Sequence, residues 1–394
     1  MLARTDGVPL YIEETTRAVL ESGMLAEVDG QLVARGGGQA GIVPATLRNS
    51  LLARLDRLGE AKTVAQTAAV IGRTFDYPTL SASFDLPHDL DTSLRRLEES
   101  GLMFRSGTPP DASYTFKHAL VRDVAYESLL RARRVELHRR VLDAFESQGS
   151  IADAVMAQHA EAALRDEAAL THWERATVQA LAAPALREAL SRNENALRVC
   201  RRLDPTESRR RREQALYVQR AQITIPIFGY TAEPTREAFA RAYQIARELD
   251  DLSLQLPAAY GLVPVYYVAG EPFREAAQRF ADLAARDDHD GPGLVAARLQ
   301  GLVAFHDGDF ETARRLFVHA IESFDEARHP ELLRGYGQDN ATAAATYLCL
   351  VEWITGNPCG SAAHRRAGPG ARQGAQSRQH AAVRTAWVAC NSRS

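Results

Sequence analysis

EPTREAFARAYQIA, residues 233–246, returns 38 residues later as EPFREAAQRFADLA, residues 271–284, with 7 of 14 positions identical. A further unit, GDFETARRLFVHAI at 308–321, keeps the small-x-x-x-large spacing, so that Ala276 and Phe280 recur as Ala313 and Phe317. Gly301, Gly308, Ala313, Phe317 and Ala320 match the spacing of a tetratricopeptide helix pair, at a period slightly longer than the usual ~34 residues. Small residues let paired helices approach, and phenylalanine fills the gap between neighbouring pairs. Alanine-rich helices resemble one another by composition alone, but the shared EPxREA does not follow from composition. Residues 146–356 are therefore expected to form tetratricopeptide-like helical repeats, an α-solenoid.

Upstream the pattern changes. Within residues 59–145 helices are predicted over about 60–71, 77–84 and 88–100, the last closing on Gly101. LMFRSG and SYTFK then read as two short strands around the turn GTPPDAS, and another helix begins after His118. Three helices followed by a β-hairpin is the pattern of a winged helix. The fold class expected is mainly α, a winged-helix domain followed by the solenoid.

Residues 1–58 hold three pieces. VPLYIEETTRAVLESG at 8–23 puts Leu10, Ile12, Val19 and Leu20 near one helical face and ends on Gly23. MLAEVDGQLVA follows as a short hairpin with Asp29-Gly30 as its turn. Beyond the GGG loop at 36–38, Pro44 stands near a helix start, and Leu47, Leu51, Leu52, Leu55 and Leu58 form a stripe at helical spacing.

Charge bounds the function. The chain has 394 residues and a net charge of −3, with only two lysines, Lys62 and Lys117, against 45 arginines. No Asp or Glu follows Glu352, while residues 357–394 hold six arginines, so residues 1–356 carry 41 basic against 50 acidic side chains, a net of −9. A body this acidic repels phosphate backbones at long range, which argues against a nucleic-acid partner. Cys200, Cys349, Cys359 and Cys390 show no CxxC pairing and no histidine at metal-ligand spacing, and read as reduced thiols. His159, His172, His306 and His319 are scattered with no HExxH, so no metal site is expected. With no apolar h-region at the N-terminus and no window near ~18 consecutive apolar residues, neither a signal peptide nor a membrane span is expected, and the protein is expected to be cytoplasmic.

The tail from Cys359, CGSAAHRRAGPGARQGAQSRQH, abandons the repeat pattern. It reads either as a disordered basic tail or as translation in a wrong frame of a GC-rich gene. Repeat chemistry (YLCLVEWITGNP) stops abruptly instead of ending in a polar capping helix, which favours the frame change. Resequencing codons 355–365 tests this, and an intact long frame there contradicts it.

Four stretches in order, DGVPLYIEE at 6–14, VPATLRNSLLARLDRLG at 43–59, AAVIGRTFDY at 68–77 and GTPPDASYTFKHALVRDVAYESLLRARRVELH at 107–138, resemble the C-terminal part of STAND-type signalling ATPases. The similarity is greatest to bacterial multidomain proteins that join a class III adenylyl cyclase domain, an ATPase module and tetratricopeptide-like repeats. On that resemblance, residues 1–58 are the C-terminal helical part of the ATPase module. The family's Walker A loop, Walker B acid and cyclase domain lie upstream of these motifs, and the chain looks truncated at the front. Walker A demands Gly-Lys, because backbone N–H groups cradle the phosphates and the lysine reaches the terminal ones. This sequence has no Gly-Lys dipeptide. Independent ATP hydrolysis or cyclase activity is therefore expected to be absent, and ATP or ADP would be bound by the intact parent and not tightly by this chain alone.

The resemblance implies two remnants of a nucleotide site. Gly7-Val8-Pro9 resembles the family's GxP motif, whose proline packs against adenine; a plain helix start with proline near its first position is the alternative. FKHALVRDVA resembles the MHD segment of NB-ARC proteins, which implies that His118 contacts the β-phosphate of ADP with Lys117 adding positive charge. Unpaired N–H groups at a helix start favour an anion there. The plant motif has Asp where this chain has Ala119, so that carboxylate is missing. A half-buried histidine linking strand to helix is the alternative for His118.

Arg122, Asp123 and Glu127 read as a solvated or ion-paired polar face, and Arg209–Arg212, after the helix start DPTES, as an exposed face. The function expected is a regulatory and scaffold fragment of a nucleotide-dependent signal-transduction ATPase. Its repeats would bind a protein partner, and the upstream ATPase and cyclase domains would be its other partners. A DNA-binding winged-helix regulator is the alternative. Against it, HDLDTSLRRLEESG at 88–101, the recognition-helix candidate, carries four acids and two arginines.

Overall fold

The computed structural model describes residues 25–28, 31–34, 47–84, 90–149, 151–323, 336 and 339–356. Gly7, Pro9, the helix expected over 8–23, the Asp29-Gly30 turn, Pro44 and the tail 357–394 lie outside the described residues. The chain is mainly helical and divides into two compact units, Met1–Ala176 and Thr177–Ser394.

In the first unit, β1 (Leu25–Val28) and β2 (Gln31–Ala34) pair antiparallel with Val28 opposite Gln31. Helix α1 (Leu47–Arg57) buries Leu51 and Leu55 completely. They share one core with the small face of α2 (Glu60–Ile71), where Ala61, Val64, Ala65, Ala68 and Ala69 are buried. Small side chains on α2 let its neighbours approach closely. The core is completed by Leu80 of α3 (Tyr77–Ala82), Leu94 and Leu97 of α4 (Leu90–Glu99), and Val121, Val124 and Ala125 of α5 (Ala119–Glu127). Helix α3 starts where it does because Asp76 accepts from Thr79 N at 2.6 Å. Helix α4 stops at Gly101, whose φ of 66° suits glycine, and Leu102 N returns to Leu97 O at 3.1 Å.

The expected hairpin is present as β4 (Met103–Ser106) and β5 (Ser113–Phe116), but it belongs to a three-stranded antiparallel sheet with β5 at its centre. The added strand, β3 (Thr74–Asp76), has three residues, too few to show alternation in the sequence. It is held by its fit to β5: Phe75 stacks on Tyr114 at 5.8 Å, and the Thr74 and Thr115 hydroxyls lie 3.1 Å apart. Beyond α5 come α6 (Arg131–Gln148), α7 (Asp153–Ala162) and α8 (Asp166–Ala182), the last crossing the unit boundary.

The second unit is a helical repeat fold: α9 (Leu186–Cys200), α10 (Glu207–Phe228), α11 (Glu233–Glu248), α12 (Leu252–Ala269), α13 (Arg274–Ala284), α14 (Asp290–His306), α15 (Phe310–Glu322) and α16 (Asn340–Ile354). The repeated EPxREA segments open α11 and lead into α13, and the GDFETA unit opens α15. Phe280 and Phe317 are fully buried, each worth about 1.5–3 kcal/mol of transfer energy. Close approach fixes the small positions. A Cβ on Gly301 of α14 would stand 2.8 Å from the ring of Phe317 on α15, and one on Gly261 of α12 would meet Phe239 of α11 closer still. Among the described residues no helix is long and apolar enough to cross a membrane.

Candidate functional site

The path from sheet to helix at His118 is set by backbone bonding. Lys117 N donates to Leu102 O at 2.9 Å, prolonging the β4–β5 ladder by one residue. The chain then leaves the sheet at His118, whose extended backbone (φ −131°, ψ 142°) makes it the N-cap of α5. Its carbonyl accepts from Val121 N at 3.1 Å, while its imidazole makes no capping bond. Lys117 and His118 are both half-buried, and His118 Nε2 is shielded from solvent. The first turn of α5 has no acidic residue, so no carboxylate there offsets the positive end of its dipole. A histidine N–H, a lysine ammonium and a helix start without acid are donors suited to an anionic oxygen. The sequence has no Gly-Lys dipeptide and therefore no Walker A loop.

The polar face of α5 is ion-paired. Glu127 meets Arg48 of α1 at 2.5 Å, and Arg122 meets Asp123 at 3.0 Å. Arg122 also donates through Nε to Ala69 O at 3.1 Å, placing a cation at the C-terminal turn of α2. Its guanidinium lies 5.4 Å from the Tyr126 ring centroid, and that of Arg134 lies 5.0 Å from it.

Tyr126 opens a chain of buried polar groups that sequence reasoning missed. Its hydroxyl is 3.0 Å from His138 Nε2 on α6, and His138 Nδ1 is 3.1 Å from His159 Nδ1 on α7. Phe145 packs edge-on against His159 at 5.3 Å. One imidazole must donate and the other accept, so the two cannot both be protonated while the bond lasts. Burial, with Arg122 and Arg134 nearby, pushes His138 down to about 4. Burial, then His138 and Arg122, pushes His159 down to about 3. The available sequence signal was periodic: His138 lies at i, i+4, i+7 with Leu142 and Phe145, a stripe that faces the interior.

Among the described residues the other histidines have side-chain partners: His172 with Asp153 (2.7 Å), His289 with Asp287 (2.7 Å), His306 with Tyr267 (3.2 Å) and His319 with Ser323 (3.3 Å). Among the described residues no group of three or more metal-capable side chains converges. The Arg209–Arg212 run follows Thr206, which caps α10 by accepting from Arg209 N. The run is less free than an exposed face: Arg209 pairs with Glu213, Arg210 with Glu248, and Arg211 with Glu207 and Asp251. An open surface depression lined by Arg131, Val135, Arg139 and Leu164 includes none of the candidate residues.

No family model matches the chain. It is 26% identical over 366 residues to the uncharacterized protein R02095 of Rhizobium meliloti (strain 1021), covering 89% of this chain and 34% of that protein. The chain thus spans about a third of that relative's length. Among solved structures it is similar to BtubC (BKLC) from P. vanneervenii, at a TM-score of 0.42 and 14% identity, over 64% of this chain and 98% of that one. It is distantly similar to PH0952 of Pyrococcus horikoshii, a signal transduction ATPase with numerous domains and a tetratricopeptide repeat sensor. There the TM-score is 0.29 at 12% identity, over 82% of this chain and 55% of that one.

Proposed function

We propose that the chain is a regulatory and scaffold part of a STAND-type signal-transduction ATPase of the adenylyl cyclase-associated kind, acting in the cytoplasm. In this reading α2, α3 and α4 with the β3-β5-β4 sheet are a winged helix, and the helix pairs of the second unit are tetratricopeptide-like repeats that bind a protein partner. Residues 1–58 belong to the ATPase module and residues 59–145 to the winged helix. His118 and Lys117, with Gly7 and Pro9, are the chain's contribution to an ADP- or ATP-sensing site completed by an ATPase core. The chain alone hydrolyses no ATP and forms no cyclic AMP.

The observation that supports this reading best is the position of His118 as N-cap of α5, directly after the central strand of the sheet, on a first turn with no acid. A donor placed there can hold a phosphate in the resting state, and a ligand that prefers an open arrangement would release it. The rate of ADP release from the chain joined to an ATPase core, with and without His118→Ala, tests it. The DNA-binding reading has less support: LDTSLRRLEE of α4 carries three acids against two arginines and would meet phosphate with net negative charge.

A further inference from the structure

Helix α6 in the first unit begins with charges that its own residues do not balance. RARRVELHRR, residues 131–140, carries five arginines against one glutamate, in a chain whose residues 1–356 are net negative. The first turn holds no acid, and the N-cap residue Leu130 makes no capping bond. Glu136 is divided between Arg139 and Arg140, each at 2.9 Å. Its carboxyl is held below the usual range by Arg140 first, then by Arg139 and Arg133. Arg134 donates to the Leu129 and Glu127 carbonyls. Among the described residues Arg131 and Arg133 meet no carboxylate. About three turns of one helix therefore keep a net positive charge of four.

An apolar side chain is exposed beside these cations. Leu164, just beyond α7, has a φ of 57°, a left-handed backbone that glycine takes freely and leucine does not. It is nevertheless 62% exposed. With Arg131, Ala132, Val135, Glu136 and Arg139 it lines the open depression on this face. Arg131, Val135 and Arg139 follow at i, i+4 and i+8 on one stripe of the helix. The two arginines thus start about 12 Å apart, with aliphatic side chains between them.

This order of charge and apolar surface selects the occupant. A nucleic-acid backbone laid along it would bring phosphates over Val135 and Leu164, where they lose water without a hydrogen bond in return. The lining forms a depression and not a ridge, so it has no apolar face to insert into a bilayer. It receives a protruding aliphatic side chain with a carboxylate on either side.

We propose that the Arg131–Val135–Arg139 stripe of α6, with Leu164, docks an acidic amphipathic helix of a partner protein. The partner helix carries acid, aliphatic residue and acid at i, i+4 and i+8. Its aliphatic side chain enters the depression beside Leu164, and its carboxylates meet Arg131 and Arg139.

The probe is a fluorescein-labelled, alanine-based helical peptide with glutamate at its third and eleventh positions and leucine at its seventh. Its binding to the full chain is followed by fluorescence anisotropy at low salt. We expect saturable 1:1 binding, at least tenfold weaker to the chain with Arg131→Glu and Arg139→Glu, and restored there by a peptide with lysine for both glutamates. Alanine for the peptide's leucine should weaken binding at least threefold, and the exposed Phe104→Ala on the chain should change nothing. Leu164→Gly should weaken binding at least threefold while raising the Tm, because glycine relieves the left-handed backbone. Absence of saturable binding, or binding that the charge reversal leaves unchanged, overturns the proposal. So does displacement of the peptide from these arginines by a random-sequence DNA duplex or by phosphatidylserine vesicles, which would make the occupant a nucleic acid or a membrane. A Leu164→Gly chain that binds as before, or that loses stability, makes Leu164 a packing residue and overturns it as well.

Discussion

His138 Nδ1 and His159 Nδ1 lie 3.1 Å apart in the first unit, a hydrogen bond that exists only while one of the two nitrogens is unprotonated. With Tyr126 bonded to the far side of His138, three helices, α5, α6 and α7, are tied by one proton arrangement.

The tie makes stability depend on acid. Folded, His138 is held at about 4 and His159 at about 3, burial being the first cause of each. Unfolded, both titrate near ~6.5. Between those values the unfolded chain takes up protons that the folded chain refuses, so the stabilisation is complete above ~6.5 and is lost as pH falls towards 4. Each imidazole should cost on the order of 3 kcal/mol by pH 4. Thermal unfolding from pH 7.5 to 4.5 should show a falling Tm, and replacing the pair by His138→Phe with His159→Leu should flatten the slope. An unchanged slope would mean that neither imidazole is held neutral.

The repeat contact between Gly301 and Phe317 should be sensitive in both directions. Phe317→Ala empties a fully buried site and should cost about 3–5 kcal/mol. Gly301→Val drives a side chain into the ring and should cost about 1–3 kcal/mol. Phe317→Leu should relieve part of the Gly301→Val strain, giving non-additive urea unfolding energies. Strict additivity would show that the two positions do not press on each other.

Glu352 is 1% exposed and accepts from Arg314 Nε at 2.6 Å. Arg314→Ala leaves a buried carboxylate short of its cation and should cost up to about 3 kcal/mol, the lower end for such a pair because Arg314 is half exposed. Glu352→Gln in that background should recover part of the loss. Equilibrium denaturation of the three proteins checks this, and a neutral Arg314→Ala would contradict it.

What the sequence made legible was local and periodic. The Leu51–Leu55 stripe, the α2 bounds of Glu60–Ile71, the ends of the hairpin around residues 107–112 and the Thr206 cap each depend on residues a few positions apart. The strand Thr74–Asp76 was not visible because its order comes from β5, some forty residues away. The His138–His159 pair joins two helices whose sequences say nothing of each other. The Arg210–Glu248 and Arg211–Asp251 pairs likewise turned a run of exposed arginines into bridges between helices. At the candidate site, the position of His118 at a helix start was legible from SYTFKHAL, while the burial of its Nε2 was not.

The central claim is that His118 senses a nucleotide phosphate, and its most direct measurement is the rate of ADP release from the chain joined to an ATPase core. A hydrogen bond from His118 to a charged phosphate is worth about 1.5–3 kcal/mol, so His118→Ala should release ADP roughly 10- to 100-fold faster. Arg95→Ala on α4 serves as the control and should leave the rate unchanged. An ADP release rate that His118→Ala does not alter, in a protein whose Tm is intact, would contradict the claim.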